Sequence, residues 1–97
     1  MIKHIVIFTW REDVSQADVA AVLDDLHALP GAIDALESYL AAPDLGLTEG
    51  TGDRAIFATV ASAEALRRYL DHPQHVAVAA RLRAMAASRT AVQVAAD

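Results

Sequence analysis

Apolar and polar positions along the chain switch between two periods, and the switches mark out its elements. Ile2 to Trp10 is rich in β-branched and aromatic residues, which suit a strand. His4, Val6, Phe8 and Trp10 fall on one face of it, and Lys3, Ile5, Ile7 and Thr9 on the other. Both faces are largely apolar, so both need cover. Helices of the same chain can cover one face. A chain of 97 residues has little left for the other, which points to a partner subunit.

Arg11 to Val14 reads as a connector, and the period then changes. Ser15 stands where an N-cap is expected, with Asp18 three residues on as an acidic capping partner and Val14 and Val19 at the staple positions. Val19, Val22, Leu23 and Leu26 form one apolar stripe at helical spacing. Pro30-Gly31 is expected to stop that helix. Leu36 to Ala42 reads as a second strand and Arg54 to Val60 as a third. Between them, Pro43 to Asp53 carries three glycines, a proline and three acidic residues, and reads as a loop that could act as a lid.

Ser62 caps the next helix, with Glu64 in its first turn. Leu66, Tyr69 and Leu70 are its inner side, and Arg67 and Arg68 face water. Pro73 ends this helix, because its ring disfavours helical geometry at His72, and it suits the first turn of another. That last helix is expected to run to about Ala87, with Ser88 to Val94 as a fourth strand. The order β-α-β-β-α-α-β predicts an α+β, ferredoxin-like single domain over residues 1–97. Its four-stranded antiparallel sheet carries helices on one face and offers the other to a second copy.

Composition narrows the function. Apolar residues make up 55% of the chain, so it folds around a core. Eight basic against 13 acidic residues give a net charge of −5, which argues against nucleic acid and an anionic membrane surface as partners. No cysteine is present, which removes thiol nucleophiles and cysteinyl zinc sites. The first apolar run is too short to span a membrane and lacks a cleavage site after it, so a cytoplasmic protein is expected.

Three side chains stand out chemically. His75 shares a stripe with Val78, Ala79 and Leu82, so it faces the core from the first helical turn. The helix dipole there disfavours imidazolium, and a neutral imidazole against an apolar cavity can act as a general base. The ordinary alternative is a buried histidine bonded to backbone. His4 shares its strand face with Val6 and Phe8 and lines the same interior if helices cover that face. Tyr69 lies on the inner side of its helix, where its phenol can donate to a substrate oxygen or simply pack.

Other candidates carry less. Asp71-His72-Pro73-Gln74-His75 might suggest a metal, but Pro73 starts a helix between the two histidines and no cluster supplies further ligands. No metal site and no cofactor is expected. His27 sits at the margin of its stripe, and Trp10 ends its strand at a rim or subunit contact. Gly46, Gly50 and Gly52 lack the Lys-Ser/Thr of a phosphate loop.

Four segments together resemble the stress-responsive A/B barrel (Dabb) family of dimeric α+β barrels. They are Met1-Ile2-Lys3-His4-Ile5-Val6, Leu29-Pro30, Gly50-Thr51-Gly52-Asp53 and Tyr69-Leu70-Asp71-His72-Pro73-Gln74-His75. The resemblance implies a ferredoxin-like subunit that pairs into a barrel, with a pocket between sheet and helices. Val6, Phe8, Val22, Leu23, Leu26, Phe57, Leu66 and Leu82 are expected to wall that pocket around His4, Tyr69 and His75. A plant polyketide cyclase of the family uses a histidine base that matches His75 and a substrate-orienting tyrosine that matches Tyr69. A further pocket histidine of that enzyme matches Ala55. Three functions follow as expectations: a cofactor-free cyclase of polyketide-like molecules, a homodimer that binds a small apolar ligand without turnover or serves structurally, and a cofactor-independent monooxygenase using Trp10 and His75.

Overall fold

The computed structural model describes residues 1–96. The elements run β1 (Ile2–Trp10), α1 (Gln16–His27), α2 (Leu29–Ala32), β2 (Leu36–Pro43), β3 (Arg54–Val60), α3 (Ala63–Asp71), α4 (Pro73–Met85) and β4 (Ala86–Ala95). The strands form one antiparallel sheet in the order β2-β3-β1-β4. This is the ferredoxin-like arrangement that the element order predicts.

Strand parity decides which side chains meet the helices. His4, Val6 and Phe8 of β1 and Ile56, Ala58 and Val60 of β3 are buried. The five apolar ones join Val22 and Leu26 of α1, Leu29 of α2, Ala65 and Tyr69 of α3 and Val78 of α4 in one core. The opposite face carries a continuous cross-strand row, Leu40–Phe57–Ile5–Val92. Leu40 and Val92 in this row, and Ile7 beside it, are 56%, 50% and 48% exposed. An outer sheet face so apolar is a surface that soluble monomers rarely leave open.

Local chemistry explains the ends of the elements. Ser15 Oγ accepts the Asp18 amide at 3.0 Å, and Ser62 Oγ accepts the Ala65 amide at 3.1 Å. Each removes one orphan donor from a helix start. Pro30 does not stop a helix. The first helix ends at His27, and Pro30 opens the single turn of α2, where its missing N–H costs nothing. That turn seats Leu29 and Ile33 in the core, 1% and 2% exposed.

The last boundary also departs from expectation. Helix α4 ends at Met85, two residues before Ala87, and β4 starts at Ala86 without a loop. Ala86 pairs with Trp10, and the Arg11 amide donates to the Met85 carbonyl at 2.9 Å. An alanine run favours helix locally, but pairing with β1 overrides that preference.

The β2–β3 loop is tied down and lies away from the inner face. Asp44 Oδ2 accepts the Gly46 amide at 2.8 Å and the Thr51 hydroxyl at 2.9 Å. Asp53 donates its amide to the Phe8 carbonyl at 2.9 Å and accepts the Trp10 amide at 2.8 Å. Gly52 has to be glycine here, since a Cβ would stand 2.7 Å from Ile7 Cγ2 and 3.3 Å from the Phe8 carbonyl oxygen. The loop borders a groove of about 670 Å3 on the outer face, beside Ile7, Ala55 and Phe57. It is not a lid over the histidines.

Candidate functional site

Between the sheet and α3/α4 lies a cavity of about 30 Å3, walled by His4, Val6, Leu26, Ile56, Tyr69, His75, Val78, Ala79, Leu82 and Arg89. Space of that size holds one water. The three candidate side chains therefore meet, although they come from three elements. The Tyr69 ring stands 6.2 Å from the His4 ring, edge-on, and 4.5 Å from the His75 ring, tilted by 53°.

Hydrogen bonds fix how each imidazole is used. His75 Nδ1 lies 3.0 Å from the Leu70 carbonyl oxygen, which can only accept. Nδ1 therefore carries the proton, and Nε2 is left with the lone pair. His4 is the reverse case. The Gln93 amide nitrogen donates to His4 Nδ1 at 2.8 Å, so the neutral ring carries its proton on Nε2. The pocket thus holds one imidazole poised to accept a proton and one poised to donate a hydrogen bond.

Both rings are kept neutral. Burial pulls the His4 pKa below its usual 6.5, helped by the charges of Arg89 and His75. Burial also lowers the His75 pKa; the Leu70 carbonyl works against this, and Arg83, Arg89 and His72 work with it. The Tyr69 phenol is pushed up to about 12, mainly by burial, so it stays a donor at neutral pH. Burial raises Tyr39 on β2 as well. Its hydroxyl and that of Tyr69 influence each other's ionisation, yet the Tyr39 oxygen makes no hydrogen bond.

Of the expected wall residues, Val6, Leu26 and Leu82 reach the cavity. Phe8 and Val22 are core residues away from it, and Leu66 packs half-buried on the core's edge. Leu23 lines a separate groove with Trp10, Val14 and Val19. Phe57 is on the other side of the sheet, paired with Ile5 and Leu40; its neighbour Ile56 takes the inner position. Ala55 pairs with Ile7 and is likewise outside. Trp10 stacks edge-on against Phe8 at 5.1 Å and does not meet His75 at the cavity.

The remaining histidines have other duties. His72 Nδ1 accepts the Gln74 amide at 3.2 Å and so caps α4, while exposed His27 reaches the Ala41 carbonyl. Among the described residues no three His, Asp or Glu side chains cluster to hold a metal, and no helix is long and apolar enough to cross a membrane.

Two polar residues of β4 were not singled out from the sequence: Arg89, which lines the cavity, and Gln93, which bonds His4 behind it. Their alternation with Thr90, Val92 and Val94 places them on one strand face. Only the pairing His4↔Gln93 and Phe8↔Arg89 shows that this face is the inner one.

A four-stranded antiparallel sheet with helices on one face, and a histidine–tyrosine pocket between the layers, defines an α+β protein of ferredoxin-like fold. The family model of the stress responsive A/B barrel domain matches residues 2–96, and the chain belongs to that family. A protein of Streptomyces coelicolor is 35% identical over 79 residues, 79% of this chain and 81% of its own length. A crystal structure from Thermobifida fusca YX, described as a dimeric ferredoxin-like protein of unknown function, is 40% identical with a TM-score of 0.90. It covers 98% of this chain and 90% of that one. The hydroxynitrile lyase of Passiflora edulis has a TM-score of 0.88 over 99% of this chain and 93% of its own; at 15% identity the likeness is one of fold.

Proposed function

We propose that this protein works as a homodimer whose inner pocket takes the carbonyl end of a small molecule, with His75 moving a proton beside it. The observation that carries the reading is the bond from His75 Nδ1 to the Leu70 carbonyl, which leaves Nε2 as the free base at the cavity wall. In this reading Nε2 removes a proton from the carbon next to the carbonyl. The C–H electron pair moves into an enolate, whose oxygen accepts hydrogen bonds from the Tyr69 hydroxyl and His4 Nε2–H. Return of the proton from His75 to a different atom of the enolate completes an isomerisation; attack of the enolate carbon on a second carbonyl, whose alkoxide oxygen then takes the proton back from His75, completes an aldol step. No cofactor is required for either.

The small cavity narrows the substrate. A folded polyketide chain needs a volume of several hundred Å3, whereas the space between His4, Tyr69 and His75 is about 30 Å3. The reacting end of a small carbonyl compound suits it better than cyclisation of a long chain. Supporting the dimer are the exposed row on the outer sheet face and the dimeric description of the Thermobifida fusca relative.

A second reading, a non-catalytic binding or structural dimer, is favoured by the same cavity volume: side chains leave room for one water. Turnover separates the two. Incubation with a panel of short ketones and β-diketones, followed by NMR, is expected to show product with the wild type and not with His75→Ala. Equal turnover by both proteins removes His75 as base, and no turnover by either leaves the binding dimer as the better reading.

A further inference from the structure

One cation at the pocket wall has no partner among the described residues. Arg11, Arg67 and Arg81 each pair with a carboxylate, of Asp13, Asp71 and Asp25 respectively. Arg89 has no hydrogen bond or ion pair among the described residues, although the chain carries 13 acidic side chains. No Asp or Glu lines the cavity that Arg89 borders. Its charge is felt there all the same, by His4, Tyr69 and His75.

The register places this cation relative to the reacting groups. On β4, Arg89 pairs with Phe8, Ala91 with Val6 and Gln93 with His4, so the three share the inner face. Arg89 and Gln93 are four residues apart, roughly 13 Å along a strand. Between them Ala91 offers only a methyl group and is exposed, so this stretch of the inner face is open. Arg89 itself lines the cavity, so a ligand that enters from this open side with its reacting end among the histidines has the guanidinium beside it.

We infer that Arg89 is the specificity-determining residue of this pocket and selects small oxo acids, molecules carrying a carboxylate a few bonds from the reacting carbonyl. The inference rests on the pocket reading above and adds the charge of the ligand to it. A guanidinium fork matches a carboxylate in two parallel hydrogen bonds, which an ester or amide cannot reproduce. Arg89 is itself exposed, so the geometric match of the fork, rather than desolvation, carries the selectivity. The positive field has a second use, since the enolate formed at the carbonyl is also an anion.

The test compares acetoacetate with methyl acetoacetate, its neutral ester, by following the imidazole signals of His4 and His75 in NMR titrations. The wild type is expected to bind the acid at least tenfold more tightly than the ester. Arg89→Gln is expected to abolish that preference while its amide spectrum stays that of the folded protein, and Arg89→Lys to keep part of it. Equal affinities in the wild type, an undiminished preference in Arg89→Gln, or no response to acetoacetate at about 10 mM would each overturn the inference. Binding is read without turnover, so the result stands apart from whether His75 proves to be a base.

Discussion

The Tyr69 and His75 rings lie 4.5 Å apart, centroid to centroid, although a helix boundary separates them in the chain. On one continuous helix, residues six apart point about 120° away from each other and cannot meet in this way. His72 makes the contact possible. Its extended backbone, φ −61° and ψ 133°, turns the chain between α3 and α4, and Pro73 holds the new helix start. The same turn brings His75 Nδ1 to the carbonyl of Leu70, the residue that follows Tyr69.

Removing the Tyr69 hydroxyl therefore tests its role as donor without emptying the core. Tyr69→Phe keeps the ring, which is 2% exposed and contacts both histidines. On any substrate that the wild type turns over, kcat is expected to fall about 100-fold, the size of losing one oxyanion donor. Thermal unfolding should change little. An unchanged kcat would reduce Tyr69 to packing.

The tautomer of His4 is set by Gln93 and is expected to follow it. In Gln93→Glu a carboxylate replaces the amide donor at His4 Nδ1. The proton should then move to Nδ1, and the His4 pKa should rise from its lowered value because imidazolium gains a counter-charge. Nitrogen-15 shifts of the ring report both changes. If the wild-type ring already carries its proton on Nδ1, the donor role assigned to His4 Nε2 is wrong.

Stability should depend on pH through the same two rings. His4 and His75 have folded pKa values below the ordinary 6.5, so between those values and 6.5 the unfolded chain binds more protons. Their contribution is complete above pH 6.5 and is lost as pH falls toward the folded values. The urea midpoint is expected to be lower at pH 5 than at pH 7.5. The double variant His4→Gln/His75→Gln should flatten that slope. A midpoint that rises on acidification contradicts the burial argument.

Two packing predictions separate the two faces of the sheet. Gly52→Ala forces a methyl against Ile7 and the Phe8 carbonyl, and is expected to cost about 1–3 kcal/mol in denaturant unfolding. On the outer face, Phe57→Arg places a charge in the middle of the Leu40–Phe57–Ile5–Val92 row. Light scattering at micromolar concentration is expected to show a dimer for the wild type and a monomer for this variant. A wild-type monomer would remove the dimer from the proposal.

Much of this is legible in the sequence because the signals are local. Alternation over Ile2 to Trp10 groups His4, Val6 and Phe8 on one face, which the structure buries, and helical spacing puts His75 with Val78 and Leu82. Caps at Ser15 and Ser62 follow from residue type. What escapes is set by pairing across long separations. Phe57 looks as inward as Ile56 until its register with Ile5 is known. Gln93 and Arg89 gain meaning only when β4 pairs with β1, 89 residues away for the His4 bond. Pro30 is ambiguous for another reason: a proline can stop a helix or sit in the first turn of one, and here it does only the second.

The most direct test of the base at His75 is α-proton exchange of a simple ketone in deuterium oxide, followed by proton NMR. Acetone exchanges slowly by itself near neutral pH, so catalysis stands out against buffer. Wild-type protein is expected to speed the exchange at least tenfold over a matched solution containing His75→Ala, with loss of the effect below the lowered His75 pKa. Equal exchange with both proteins would contradict the claim that Nε2 of His75 is the base of this pocket.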